Sequence, residues 1–268
     1  MNTISIMGLG WLGLPLYKHL NSLNFTCKGS TTSPKKQEQF LLENIDSQIV
    51  ELKETNVEGG IEMCLKNADI LILNTPPGLR KNPDSSYVAK IEQLLPYIVK
   101  SEVKKVLFIS STSVFKDELH FPVIKNDTPP NATSNAGKQL KAVEELLIKN
   151  PNFETTILRF SGLVNDERHP ARMMSKRPVV QNGEAPVNLI HRNDCIGIIS
   201  AIIQQNYWNK VLNASFPEHP TKKNYYDSVC GRLQLSPPNF NTAIPSKGKL
   251  VDGNTTAMAL NYTYKYVV

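Results

Sequence analysis

The stretch "TISIMGLGWLG", Thr3 to Gly13, constrains this chain more than any other. A short apolar and β-branched run ends directly in glycines, and "LGLPLYKHLNSL" then repeats apolar residues at a helical period. Gly8, Gly10 and Gly13 stand in the G-x-G-x-x-G spacing. That spacing says little alone but gains a mechanical meaning between a strand and a helix. Gly8 permits a tight turn, Gly10 lets the backbone approach a pyrophosphate, and Gly13 lets the helix pack close to the strand. The helix N-terminus then offers free N–H groups and a partial positive charge to an anion. A tight turn without a ligand is the competing explanation for the same three glycines.

The alternation continues. "FTCKG", "QIVEL", "ADILILNTPPG", "VKKVLFISSTSVF" and "FETTILRFSGLV" read as further strands. "SYVAKIEQLLPYIVKS", with Pro96 as a kink point, and "NATSNAGKQLKAVEELLIKN", capped by Thr133 or Ser134, read as helices. Such alternation predicts the α/β class: a doubly wound parallel sheet, a Rossmann fold, with its ligand at the carboxyl ends of the strands. From Leu163 the chain turns polar and loop-rich, and "VNLIH", "RNDCIGIISAIIQQ", "KVLNASF", "TKKNYYDSVCGRLQL" and "GKLVDGNTTAMALNYTYKYV" alternate short strands and helices. Residues 1–162 are expected to form the NAD(P)-binding domain, and residues 163–268 a small substrate-side lobe built on the same sheet.

Composition narrows the function classes. The net charge of +6 comes from scattered lysines and arginines, which argues against nucleic acid while suiting an anionic ligand such as a nucleotide. Cys27, Cys64, Cys195 and Cys230 are far apart, and the five histidines are dispersed, so no metal site and no disulfide is expected. "IGIISAII" is too short to span a bilayer, and "MNTISIM" has no basic-then-apolar leader pattern. These features together predict a cytoplasmic protein with no membrane partner.

NAD-binding folds of this kind end the second strand in Asp or Glu, which binds the ribose 2′-hydroxyl. No acidic residue precedes Glu38 here; "KGSTTSPKK" stands in its place. Ser30, Thr31 and Thr32 can hydrogen-bond a 2′-phosphate, and Lys28 or Lys35 can offset its charge. NADP is therefore expected over NAD, with a solvated turn carrying ordinary lysines as the alternative.

In this order "MGLGWLG", "NTPPG", "FISSTSVF", "LRFSGL" and "VNLIHRND" resemble the extended and atypical short-chain dehydrogenase/reductases, the NAD(P)-dependent epimerase/dehydratase superfamily. The likeness covers essentially the whole chain and is nearest to an atypical branch named for nucleotide-sugar epimerases. It implies that Gly8, Gly10, Trp11, Leu12 and Gly13 line the pyrophosphate. It puts Asn74, Thr75 and Pro76 near the nicotinamide ribose, with Ser110, Phe160 and Ser161 beside the cofactor. Ser111, or its neighbour Thr112, takes the place of the catalytic Ser or Thr, and Phe115 stands where a tyrosine is common. Arg168, His191 and Arg192 become candidates for holding an anionic small-molecule substrate, such as a nucleotide sugar; a surface salt bridge and a structural histidine compete for Arg168 and His191. Relatives also pair through the helices flanking the fifth strand, so a homodimer is expected.

The superfamily's acid/base is a tyrosine followed four residues later by a lysine, and the chain lacks that tyrosine. A phenol works near neutral pH only when a cation lowers its pKa from about 10. Aligning on the lysine keeps Lys138 and puts Ser134 at the tyrosine position. Aligning on "AVEELL" puts Ala136 and Leu140 at the two positions, and this register needs no gap. Tyr87, His120, His191 and Tyr225 are unranked replacements for the proton donor; Ser111 or Lys138 alone is a second possibility, and an NADP(H) sensor without turnover a third. The glycine motif also resembles 3-hydroxyacid-type dehydrogenases, which would require a large all-helical second domain.

Overall fold

The computed structural model describes residues 2–268. The first half runs β1 (Thr3–Met7), α1 (Gly13–Ser22), β2 (Thr26–Thr31), α2 (Pro34–Leu42), β3 (Ser47–Leu52), β4 (Val57–Gly59), α3 (Ile61–Leu65), β5 (Ile70–Leu73), α4 (Tyr87–Lys100) and β6 (Lys105–Ser111). A 3-10 turn at Thr112–Val114 follows, then β7 (Val123–Ile124), α5 (Asn135–Ile148) and β8 (Glu154–Phe160). The second half adds β9 (Gly162–Val164), α6 (Ala171–Met174), β10 (Leu189–His191), α7 (Arg192–Gln204), β11 (Val211–Ala214), α8 (Lys222–Arg232), β12 (Leu250–Val251) and α9 (Asn254–Ala259).

Eight strands form one sheet in the order β11-β8-β6-β5-β1-β2-β3-β4. Every pairing is parallel except β3 with the edge strand β4. The winding reverses between β1 and β5, and this switch point puts the turn after β1 in the crevice where such sheets bind ligands. The order is that of a doubly wound α/β fold. β11 comes from the second half of the chain and extends the main sheet beside β8. β9–β10 and β7–β12 make two small parallel pairs outside it.

Strand side chains alternate between two helical layers, as a sheet covered on both faces requires. Ile4, Ile6, Ile70 and Ile72 join α1 and α7 in one buried cluster. Met7, Leu71, Leu73 and Phe108 join α4 and α5 in the other. A third, smaller cluster of Ala171, Met174, Val187, Tyr225 and Val229 lies under α6 and α8. The polar stretch after β2 becomes α2, because Ser33 accepts from the Lys36 N–H and Pro34 opens the helix. α4 runs through Pro96. The second half has short strands throughout and no long helical run, so it lacks the all-helical domain of a 3-hydroxyacid-type dehydrogenase.

Candidate dinucleotide site and its neighbours

The glycine turn is braced from both sides. Gly8 has φ of +104°, and a Cβ there would lie 2.7 Å from the Asn74 carbonyl oxygen. Its N–H donates to Ser30 Oγ at 3.2 Å, and its carbonyl accepts from Asn74 Nδ2 at 3.1 Å. Gly13 packs directly on Gly8, where a side chain would collide with the Gly8 carbonyl oxygen. Gly10 differs from both: a Cβ on it would meet nothing within 4 Å. No side chain caps α1; within its first turn the Leu14 N–H donates to the Gly10 carbonyl at 3.1 Å and Pro15 has no N–H. A turn held rigidly, with one glycine open and an uncapped helix behind it, is the arrangement a diphosphate needs.

A cavity of about 350 Å³ opens in front of this turn. Gly8, Gly10, Ser30, Thr31, Thr32, Thr75 and Pro76 all line it, so expected residues from three different strand ends meet there. Lys36 and Lys90 line it too, with one carboxylate, Glu51 of β3. Neither Lys36, Lys90 nor Glu51 carries a sequence signal; only the pairing of β3 with β2 brings Glu51 into reach.

Several expected roles change. Lys35 is exposed and does not line the cavity; its neighbour Lys36 does, one helical step round α2. Lys28 turns away and donates to the Lys66 carbonyl at 3.0 Å. Ser30 lines the cavity but its hydroxyl is engaged by Gly8, and Asn74 also holds the turn without lining the cavity. Leu12 is buried in the apolar cluster around α1. Ser110 is buried, donates to Glu144 Oε1 at 2.6 Å and does not line the cavity.

Farther along the carboxyl edge of the sheet, outside that cavity, Ser111, Thr112, Phe160 and Ser161 come together at the ends of β6 and β8. Ser111 pairs with Phe160 across β6 and β8. Ser111 Oγ accepts from the Ser113 N–H at 3.1 Å and so caps the 3-10 turn that Thr112 opens. Ser161 holds the sheet edge through its N–H to the Ala214 carbonyl, while its buried hydroxyl has no hydrogen-bond partner. Phe115 is buried beneath the Arg159 guanidinium, 5.1 Å from its ring centre.

α5 supplies no acid/base pair. Its buried face is Gly137, Leu140, Val143, Glu144 and Leu147. Lys138 is exposed and points to the opposite side of the helix. Ala136 and Leu140 are half-buried and buried, and Leu140 packs in the same apolar cluster as Tyr87 and Phe115. Glu144, one turn further on, is buried against Arg159 in a two-pronged ion pair, with Nη2 to Oε2 at 2.7 Å and Nε to Oε1 at 3.0 Å. Gly137 lets α5 touch the Ser113 carbonyl, which fixes the helix on the 3-10 turn.

None of the replacement donors resembles an activated phenol. Tyr87 is buried with its hydroxyl donating to the Thr75 carbonyl at 2.8 Å, and burial pushes its pKa up. Tyr225 shares a hydrogen bond of 2.9 Å with His169 Nε2, and burial raises it as well. His120 is exposed. His191 caps α7 through its Nδ1, which accepts from the Asn193 N–H; its ring stacks on Tyr266 at 4.5 Å and lines a second cavity with Asp166 and His169, and burial lowers its pKa. Arg168 and Arg192 both reach the indole of Trp11, at 5.4 Å and 5.2 Å from its centre. Among the described residues there is no cluster of three metal-ligating side chains, and no helix is long and apolar enough to cross a membrane.

No family model matches the chain. Protein YeeZ of Escherichia coli strain K12 is 32% identical over 269 residues, covering 99% of this chain and 97% of that protein. The chain belongs to the YeeZ family. Among solved structures, UDP-glucuronic acid 4-epimerase from Bacillus cereus in complex with NAD superposes with a TM-score of 0.78 at 17% identity, over 100% of this chain and 93% of that one. A Methylobacillus flagellatus protein provisionally assigned as an NAD-dependent epimerase/dehydratase superposes with a TM-score of 0.77 at 21% identity, over 99% and 93%. This YeeZ-family chain therefore has the fold of the extended short-chain dehydrogenase/reductases.

Proposed function

We propose that the chain binds a nicotinamide dinucleotide along the carboxyl edge of its sheet, NADP in preference to NAD. We assign it to epimerase/dehydratase-type redox chemistry on a small hydroxylated or nucleotide-linked substrate. The observation that carries this is the contrast inside the glycine motif. Gly8 and Gly13 are glycines because the turn itself leaves no room, whereas Gly10 is exposed, lines the cavity and has room for a side chain. The NAD-bound Bacillus cereus epimerase, and MoeE5 in complex with UDP-glucose and NAD, share the fold and support a dinucleotide as that ligand. The preference for NADP rests on the end of β2, where hydroxyls replace the acid, and on Lys36 and Lys90 outnumbering Glu51 around the cavity.

The bound nicotinamide would supply hydride transfer. The chain's part is to hold the diphosphate at the uncapped start of α1 and to place Ser111 and Thr112 at the end of β6 to orient a substrate oxygen. The proton cannot pass through a phenol–lysine pair on α5, because Ala136 and Leu140 stand there and Lys138 faces outward. The apolar face of α5 favours a second reading, a dinucleotide sensor that binds without turnover. The test is a titration with NADPH and with NADH, followed by energy transfer from Trp11, with Trp11→Phe giving the Trp208 background. Tighter binding of NADPH supports the proposal, and binding of neither overturns it. A sensor requires NADP and NADPH to bind with unequal affinity and no substrate to oxidise or reduce the cofactor; turnover of any substrate rejects it.

A further inference from the structure

The loop joining β5 to α4 forms one rim of the cavity, where Thr75, Pro76, Pro77 and Gly78 line it. Its middle is held only by itself. Gly78 has φ of +75° and stands in open space, and residues 80–84 are all exposed. The Lys81 and Asn82 N–H groups donate to the Gly78 carbonyl, and the Ser85 N–H donates to the Asn82 carbonyl.

The far end of the loop is tied down from outside. Asn135 and Gln139 stand one turn apart on α5 and reach across to it. Asn135 Nδ2 donates to the Pro83 carbonyl at 3.1 Å. Gln139 Nε2 donates to the Ser85 carbonyl at 3.2 Å, and its Oε1 accepts from the Tyr87 N–H at 2.6 Å. The two amides also bond each other, Gln139 Nε2 to Asn135 Oδ1 at 3.1 Å. Glu54, from the turn between β3 and β4, grips the same corner by accepting from the Ser85 hydroxyl at 2.8 Å and the Ser86 N–H at 3.0 Å. Tyr87 carries the constraint back to the start of the loop: its hydroxyl donates to the Thr75 carbonyl at 2.8 Å, and both residues line the cavity. Neither Asn135 nor Gln139 lines it.

We propose that Gln139, supported by Asn135, is a positioning residue of the cavity: it holds the β5–α4 loop in the conformation that forms the rim. The proposal rests on the dinucleotide reading above and adds to it a residue outside the cavity that sets affinity. Gln139 is half-buried and Asn135 exposed, and such hydrogen bonds contribute modestly to net stability. Their loss therefore frees the loop without unfolding α5. A rim that is in place for only part of the time lowers the apparent affinity by that fraction. α5, which carries no acid/base pair, thus serves the cofactor through two amides.

Trypsin reads the loop directly, because Arg80 and Lys81 lie in its exposed middle. Cleavage after these two residues is followed by mass spectrometry on the full chain, with and without saturating NADPH, for wild type, Gln139→Met and Asn135→Ala. NADPH affinity and melting temperature are measured on the same proteins. NADPH is expected to slow cleavage of wild type. Gln139→Met, which keeps the length of the side chain and loses its hydrogen bonds, is expected to speed cleavage about tenfold and weaken NADPH about fivefold with little change in melting temperature. Asn135→Ala leaves the bonds of Gln139 to Ser85 and Tyr87 and should shift both readouts less, in the same direction. Equal cleavage in wild type and Gln139→Met overturns the clamp. Faster cleavage with unchanged NADPH affinity overturns the positioning role, since the ligand then ignores the loop. A lowered melting temperature with cleavage spread along the chain makes Gln139 a residue of the fold and also overturns it. Failure of NADPH to bind wild type is a different result: it rejects the dinucleotide reading, and the positioning role falls with it.

Discussion

The two ends of the sheet's carboxyl edge are built in opposite ways. Around the glycine turn, polar side chains serve the backbone: Ser30 and Asn74 hold Gly8, and the space beyond Gly10 is left open. Along α5, the face that would carry a phenol and a lysine is filled with hydrocarbon, and the polar residues sit one turn deeper as Ser110, Glu144 and Arg159. The first end is organised to receive something from outside. The second satisfies most of its own polar groups; Arg159 Nη1 and the Ser161 hydroxyl are buried there without a partner. A dinucleotide fold can thus keep its binding geometry while its proton-transfer helix becomes part of the core.

The largest expected effect tests the self-satisfied end. Glu144→Ala leaves Arg159 buried and unpaired between β6, β8 and α5, and breaking such a pair costs about 3–5 kcal/mol. Chemical denaturation should show that loss at neutral pH. A loss below about 1 kcal/mol would mean that the pair is not what holds α5 to the sheet, and the contrast between the two ends would weaken.

Next comes the glycine turn, where two neighbouring glycines should behave differently. Gly13→Ala forces a methyl group against the Gly8 carbonyl and should cost about 1–3 kcal/mol of stability as well as NADPH binding. Gly10→Ala should leave the melting temperature unchanged and still lose NADPH binding, because only the ligand competes for that space. If Gly10→Ala binds NADPH normally, the turn is architecture and the comparison collapses from the other side.

Much of this contrast is legible in the sequence, and the reason is local. Glycines, strand runs and capping residues such as Ser134 act within a few residues of themselves, so the parallel sheet and its turn follow from spacing. What is not legible depends on partners far along the chain. Nothing near Ser110 shows that its hydroxyl belongs to Glu144, or near Glu51 that β3 delivers it to the cavity. Nothing near His191 shows that Tyr266, from the end of the chain, stacks on it. Lys35 and Lys36 differ only by a helical step, which an unrecognised α2 leaves undetermined.

A smaller effect follows from the histidines that serve structure. Burial holds His191 and His169 below the ordinary value of 6.5, so both fold as neutral rings. Below about pH 6.5 the unfolded chain takes up protons that the folded chain does not, so their contribution is complete above that pH and drains away as pH falls. At His191 protonation of Nδ1 also removes the acceptor that caps α7. Thermal melts should therefore show a decline from about pH 7 to about pH 5.5, and His191→Asn, which keeps a capping oxygen but does not titrate, should flatten it. An identical decline in both proteins would show that His191 does not titrate in this window.

The smallest expected effect bears most directly on the chemistry. Lys138 is the one lysine on α5 that the superfamily pattern could claim, yet it faces away from the buried side of the helix that Leu140 and Glu144 share. Helical geometry gives it no route back: a residue two positions before Leu140 lies about 200° round the axis. Lys138→Ala should change stability by no more than about 0.5 kcal/mol, as for other exposed positions, and leave NADPH affinity where it was. Leu140→Ala should instead cost about 2–5 kcal/mol, as a core leucine does. A tenfold loss of NADPH affinity in Lys138→Ala would mean that the helix presents its lysine to the ribose after all. The α5 end of the sheet edge would then be built for a ligand, and the difference between its two ends would lie in the missing phenol alone.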